Sequence, residues 1–82
     1  MISNDRVEQA VADVLVELLG VGDDEILPSA TLSEDLGADS IDMVEIAFEL
    51  EERFDTEIRD DELETAKTVE DLYSLVRRYA AF

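Results

Sequence analysis

The sequence predicts an all-α fold: a four-helix bundle with three main helices, one short third helix and a long loop between helices 1 and 2. Three observations support this prediction. Apolar residues recur at helical spacing over three long segments, helix-capping residues precede these segments, and no strand-like alternation or internal repeat interrupts them. Hydrophobic residues make up 46% of the 82 residues, enough for one small core, so we expect a single domain over residues 1–82.

The first helix is predicted to begin after Ser3 or Asn4, which are good N-cap residues, and to end at Gly20. Its apolar face consists of Val7, Ala10, Val11, Val14, Leu15, Leu18 and Leu19. A long connection follows, from Val21 to Asp39, with one predicted turn at residues 31–35. Four apolar residues are spaced to pack this connection onto the core, namely Ile26, Leu27, Leu32 and Leu36.

The second helix is predicted to start at Ser40, with Asp39 as its N-cap and Asp42 in the capping-box position, and to continue to about Phe54. A projection at about 100° per residue separates three faces. The core face contains Met43, Ile46, Ala47, Leu50 and Phe54, and the opposite face is an acidic ridge of Asp42, Glu45, Glu49 and Glu52.

Between these two faces of the second helix lies an apolar strip formed by Ile41, Val44 and Phe48. We expect Ile41 and Phe48 to be at least partly exposed, whereas Val44 is equally compatible with burial, because apolar stripes of this width are common in helices. An apolar strip bordered by carboxylates is suited to docking a partner with a basic rim.

The last third of the chain predicts a short helix and then a longer one. Residues 55–57 interrupt the pattern, Ile58 is expected to be buried, and Asp60 is predicted to cap a third helix through Leu63 to about Ala66. Thr68 is predicted to cap the last helix, whose core face is formed by Val69, Leu72, Tyr73, Val76, Tyr79 and Ala80.

The composition excludes several classes of function. A formal net charge of −17 disfavours nucleic acids and anionic membranes as partners, and it favours proteins with basic patches. There is no Cys and no His, and no nucleophile-base pair or zinc-ligand set is apparent, so we do not expect an enzyme. Without disulfides, a leader segment or a long apolar run, we expect a cytoplasmic monomer that does not insert into membranes.

The segment around Ser40 carries the most specific motif, Leu36-Gly37-Ala38-Asp39-Ser40-Ile41-Asp42. It resembles the prosthetic-group attachment motif of acyl carrier proteins of the bacterial fatty-acid-synthesis type. The resemblance extends over the first helix, the long loop, residues 50–58 and the capped last helix. Two departures are Ile41, where the family commonly has Leu, and Arg59, where a proline often follows the isoleucine.

The resemblance implies that Ser40 bears 4′-phosphopantetheine, which a phosphopantetheinyl transferase attaches from coenzyme A with Mg²⁺. The arm would then hold acyl groups as thioesters for fatty acid or related polyketide and lipid biosynthesis, and partners would include ketosynthases and acyltransferases. The positions that match the contact residues of the family are Asp39, Ile41, Asp42, Val44, Glu45, Phe48 and Glu52. An acyl chain could then be sheltered between the helices. We expect this apolar space to be lined by Val11, Val14, Leu50, Ala66 and Leu72.

Two alternatives remain open from the residues. A peptidyl or aminoacyl carrier would share the attachment site, although such carriers are usually less acidic and often have Gly where this chain has Ala38. An unmodified acidic adaptor would use the apolar strip alone, with Ser40 as an ordinary helix-start residue. No dedicated metal site is expected, but two acidic groups could bind divalent cations weakly, Glu34 with Asp39 and Asp42, and Glu51 with Asp55, Glu57 and Asp60.

Overall fold

The computed structural model describes residues 4–80 and the side chains of residues 6–79. Its helices are α1 (Asn4–Leu19), α2 (Ser40–Phe54), α3 (Asp60–Leu63) and α4 (Val69–Ala80), with a 3₁₀ turn at Asp23–Glu25. In this range β pairing is limited to one isolated bridge between Thr31 and Thr68. The all-α prediction is therefore confirmed, and the predicted bounds of α2 are correct. No helix of the described part is long and apolar enough to cross a bilayer.

The core lies between the three long helices. Its most completely buried side chains all belong to them, namely Val11, Val14 and Leu15 of α1, Ile46 and Leu50 of α2, and Val69, Leu72 and Val76 of α4. Each such side chain contributes about 1.5–3 kcal/mol to folding through its burial. The predicted stripe of α1 is confirmed, although Ala10, Leu18 and Leu19 at its edges are only half-buried. The predicted N-cap Ser3 lies outside the described residues.

The long loop between α1 and α2 packs along the segment that precedes α4. Gly20, at φ +69°, ends α1 in a left-handed conformation that favours glycine. Further along, the N–H of Leu32 donates to the carbonyl of Lys67 at 2.9 Å, and the N–H of Val69 donates to that of Ala30 at 3.0 Å. The loop residues Ile26, Leu32 and Leu36 are buried as predicted, whereas Leu27 is 57% exposed, so its predicted packing on the core is wrong.

The short third helix starts and ends earlier than the sequence predicts. Its N-cap position is Arg59, whose carbonyl accepts the hydrogen bond of Leu63 at 3.0 Å, so Asp60 is the first helical residue rather than the cap. The helix ends at Leu63 and a turn follows, in which the N–H of Ala66 donates to the carbonyl of Leu63. Ile58 is buried as predicted. An ion pair between Arg78 and Glu62, at 2.9 Å, links α4 to α3.

Candidate functional site

The backbone at the start of α2 is held in a defined conformation. Gly37 has φ +76°, which lets the chain turn from the loop toward the helix, and the buried Ala38 anchors the turn to the core. The N–H of Asp42 donates to Oδ1 of Asp39 at 2.8 Å, and the N–H of Asp39 donates to Oδ2 of Asp42 at 3.1 Å. This reciprocal pair is the predicted capping box. Ser40 is therefore an exposed serine on an ordered backbone.

A cleft of about 390 Å³ opens beside Ser40, between the start of α2, the long loop and the α3 region. Its apolar lining consists of Leu32, Ala38, Met43, Val44, Leu63 and Ala66, and its polar lining of Ser33, Asp39, Ser40, Asp60, Glu64 and Lys67. The four-residue α3 contributes Asp60 and Leu63 to this lining. Ser40 thus lies at the border between solvent and an apolar recess.

The residues predicted to line a shelter for an acyl chain are divided between the cleft and the core. Of the five predicted residues only Ala66 lines the cleft. The other four, Val11, Val14, Leu50 and Leu72, are completely buried in the core. Periodicity identifies the residues that face the core, but it does not distinguish a filled core from a recess beside it.

The wall of the cleft opposite α2 is fixed by the capping of α4. The carboxylate of Asp71 accepts hydrogen bonds from the N–H groups of Lys67 and Thr68 at 3.0 and 3.1 Å, and the N–H of Asp71 donates to Oγ1 of Thr68 at 3.2 Å. These bonds confirm Thr68 as the predicted cap. The two backbone donors lower the pKa of Asp71, because they stabilise the ionised carboxylate.

The apolar strip of α2 is exposed. Ile41 is 68%, Val44 62% and Phe48 56% exposed, which confirms the expectation for Ile41 and Phe48 and decides the open question at Val44. On the ridge next to it, Glu45 and Glu52 are exposed, whereas Asp42 and Glu49 are half-buried. The sequence also missed a groove of about 250 Å³ in which half-buried Leu18 of α1 joins Val44, Glu45, Phe48 and Glu49.

Acidic side chains do not gather into a metal site in the described part of the chain, where no group of three or more could hold an ion. In the first predicted group, Asp39 and Asp42 are engaged in the capping box. In the second, Oε2 of Glu51 accepts the N–H of Ile58 at 2.7 Å. In the described part of the chain, neither predicted acidic group therefore forms a cluster that could hold a divalent cation.

Sequence reasoning missed Ser33 and Lys67 as neighbours of Ser40, although both line the same cleft. Their positions follow from the hydrogen bond between Leu32 and Lys67, which joins segments far apart in the chain and has no local sequence signal. The sequence contains one feature that could have drawn attention to Lys67, because it is the only lysine.

A pantetheine arm needs a hydroxyl that another active site can reach, on a backbone that holds its position, and Ser40 meets both conditions. The adjoining cleft of about 390 Å³ offers an apolar surface beside this hydroxyl. A family model described as a phosphopantetheine attachment site matches residues 9–76, a range that includes α2 and the cleft. The chain therefore belongs to this family of carrier domains, whose prosthetic group is 4′-phosphopantetheine.

Proposed function

We propose that the chain carries acyl intermediates as thioesters on a 4′-phosphopantetheine arm attached to Ser40, and presents them to enzymes of fatty acid or related polyketide and lipid biosynthesis. The observation that carries the proposal is the position of Ser40, exposed at the first residue of α2 and beside a largely apolar cleft. When bound, the arm supplies the thiol that a chain without cysteine lacks. The role of the protein is to hold and present this arm, with no catalysis of its own.

The attachment is a phosphoryl transfer in which Ser40 is the acceptor. Its Oγ forms an ester bond to the phosphorus that bears pantetheine, the pyrophosphate bond of coenzyme A breaks, and adenosine 3′,5′-bisphosphate leaves with the electron pair. The proton of the serine hydroxyl passes to a base of the transferase. The capping box contributes by keeping Ser40 on a rigid helix start, so that the transferase meets one backbone conformation.

The apolar lining of the cleft favours an acyl over an aminoacyl cargo. Met43, Val44, Leu63 and Ala66 contribute apolar surface near Ser40, which an alkyl chain would cover and a charged ammonium group would not. A peptidyl or aminoacyl carrier would share the attachment site but would gain little from this recess. The cleft is therefore the feature that supports the acyl class.

Partners would bind the apolar strip of α2 together with its acidic border. Ile41, Val44 and Phe48 are large and exposed, and Asp39, Glu45 and Glu52 are exposed carboxylates near them on α2 or at its cap. Such a surface suits ketosynthases, acyltransferases and the phosphopantetheinyl transferase if each has basic residues around an apolar patch. The half-buried Asp42 would act mainly through the capping box.

The proposal is tested by intact-mass measurement after incubation with coenzyme A, Mg²⁺ and a broad-specificity phosphopantetheinyl transferase. We expect the wild type and Ser33→Ala to gain one phosphopantetheine, and Ser40→Ala to gain none. Ser33 is the matched control because it is an exposed serine that lines the same cleft. A folded, initially unmodified wild type that gains no mass, or a Ser40→Ala variant that still gains it, would overturn the proposal.

The same modified protein separates the acyl from the aminoacyl class. With an octanoyl group on the arm, we expect the NMR signals of the Leu63 and Ala66 methyl groups to shift, because both line the cleft. With a glycyl group on the arm, these signals should stay at their positions in the unloaded form. Equal shifts with both cargoes would remove the reason for preferring the acyl class.

A further inference from the structure

Lys67, the only lysine of the chain, lies in the link between α3 and α4 and lines the cleft beside Ser40. Its backbone is fixed on both sides, because its carbonyl accepts the N–H of Leu32 and its own N–H donates to Asp71. Its side chain is exposed. The Lys67 ammonium group thus lies at the end of a flexible side chain, whose backbone is fixed in the wall of the cleft.

Four other basic residues are already neutralised by carboxylates within the protein. Four arginines form ion pairs, Arg53 with Glu17, Arg59 with Asp61, Arg77 with Glu70 and Arg78 with Glu62. Among the residues that the structure describes, Lys67 forms no such pair, in a chain with 23 acidic residues. Its charge is therefore available to a group that is not part of the protein chain.

Leu32 brings Lys67 and the start of α2 together. Its N–H donates to the carbonyl of Lys67 at 2.9 Å, and its own carbonyl accepts the N–H of Ala38 at 2.8 Å. Leu32 is therefore hydrogen-bonded both to the backbone of Lys67 and to the turn that leads into Ser40. Lys67 and Ser40 line the same cleft, and the ammonium group lies at the end of a flexible four-carbon stem.

Any anion attached to Ser40 enters strongly acidic surroundings. Asp39 and Asp42 flank the serine on α2, Asp60 and Glu64 lie on the α3 side of the cleft, and Asp71 lies at the start of α4 behind Lys67. Against these carboxylates, Lys67 is the one basic residue in the lining. A cation at this place therefore offsets a repulsion that the attached phosphate would otherwise meet.

We propose that the Lys67 ammonium group pairs with the phosphodiester of the arm on Ser40 and so holds the first part of the arm over the cleft. This inference rests on the proposed attachment at Ser40. The phosphodiester is favoured over an anionic cargo as the partner because it is bonded directly to Ser40 Oγ, whereas a cargo lies at the far end of a flexible arm. The pair is a charge-assisted contact at an exposed site.

The test uses the chemical reactivity of the single lysine. Protein with the arm, verified by intact mass, and protein without it are treated with an amine-acylating reagent, and modification of Lys67 is followed by peptide mass spectrometry. We expect acylation to be about two- to five-fold slower with the arm, the protection that an exposed ion pair gives. In about 1 M salt the difference should disappear, because the pair is screened.

The outcomes separate this inference from the proposed attachment. If the mass gain is absent, the attachment fails before Lys67 is tested. If the mass gain is present but the acylation rate of Lys67 is unchanged, or if the protection persists unchanged at high salt, the pairing is wrong. Protection that appears only when malonyl is loaded, and not with acetyl, would also overturn it, because the partner would then be the cargo carboxylate.

A second readout observes the phosphorus itself. Lys67→Met removes the charge and keeps a side chain of similar length, whereas Lys67→Arg keeps the charge. We expect the ³¹P signal of the arm to shift in Lys67→Met and to stay near its wild-type position in Lys67→Arg. Identical ³¹P signals in all three proteins would overturn the pairing even if the variants differed in activity.

Discussion

The middle and the start of α2 differ in how they are packed. In the middle of the helix, Ile46 and Leu50 are completely buried in the core. At its start, half-buried Met43, which belongs to the same core face, and exposed Val44 border the cleft beside Ser40. The middle provides most of the apolar burial of the helix, and the start borders an accessible recess whose loop wall is held by backbone hydrogen bonds. Stability and presentation of the arm thus depend on different parts of one helix.

Under the proposed function, this separation would suit a carrier that meets several enzymes. A cargo would enter or leave the cleft without displacing the completely buried side chains, which do not line it. The outer strip of α2 would bind partners without any repacking, since its apolar side chains are already exposed. The arrangement predicts that substitutions in the middle and at the start of α2 have different effects.

The largest effect on stability is expected from the buried middle of α2. Leu50→Ala should lower the free energy of unfolding by about 2–5 kcal/mol, because it leaves a cavity among completely buried side chains. Met43→Ala, at the border of the cleft, should cost about 1 kcal/mol, since Met43 is only half-buried and its neighbours already adjoin open space. Urea denaturation followed by circular dichroism measures both values.

The contrast between Leu50 and Met43 is meaningful only if both variants unfold in one transition. Equal slopes of free energy against urea for the wild type and the two variants provide that control. If Met43→Ala costs as much as Leu50→Ala, the start of α2 contributes to the core as strongly as its middle, and the assignment of two roles to α2 is wrong.

An intermediate effect is expected at the outer strip, in partner binding rather than in stability. Phe48→Ala should weaken binding to a phosphopantetheinyl transferase about tenfold, as truncation of an aromatic anchor commonly does, and should change the free energy of unfolding by about 0.5 kcal/mol or less. Surface plasmon resonance measures the affinity. Leu27→Ala is the matched control, because Leu27 is 57% exposed, as Phe48 is 56%, but lies outside the strip.

Unchanged binding of Phe48→Ala would show that the exposed apolar side chains of α2 are not the contact surface. Equal weakening by Leu27→Ala would show that the effect is one of general surface hydrophobicity. Either result would leave the acidic border of α2 as the part of the surface that partners recognise.

Much of the fold was accessible from local sequence signals. The capping box at Asp39 and Asp42, the cap at Thr68 and the apolar stripe of α1 each depend on residues within one or two helical turns, and the structure confirms them. The exposure of Ile41 and Phe48 followed from the angular position of each residue on α2.

The features that could not be predicted depend on contacts between distant segments. The cleft is formed where the loop around Leu32 contacts the link at Lys67. No periodic pattern in the sequence predicts this contact. The start of α3 was misplaced by one residue because Asp60 is a better capping residue than Arg59 in isolation, whereas the backbone following Ile58 sets the actual start. Leu27 was expected to pack on the core because spacing alone does not reveal which loop residues face solvent.

The smallest expected effect concerns the link between α3 and α4, where Asp71 fixes the wall of the cleft. Its native pKa is lowered by the N–H groups of Lys67 and Thr68, so its contribution to stability is fully present above its unfolded pKa of about 3.9 and is lost as the pH falls through the native pKa. Asp71→Asn should therefore be less stable than the wild type by about 0.3–1 kcal/mol at pH 7, the range for a carboxylate at a helix N-terminus.

The difference between wild type and Asp71→Asn should shrink as the pH falls below about 4, since the wild-type carboxyl group then becomes neutral as well. Urea denaturation at several pH values between 7 and 2 measures it. Glu45→Gln removes the same charge from the ridge of α2 and controls for the overall relief of repulsion in a chain with a net charge of −17. A stability difference for Asp71→Asn that stays constant over this pH range would mean that the two backbone hydrogen bonds do not depend on the charge of Asp71. The wall of the cleft would then be held by the bonds of Leu32 and Val69 to their backbone partners instead.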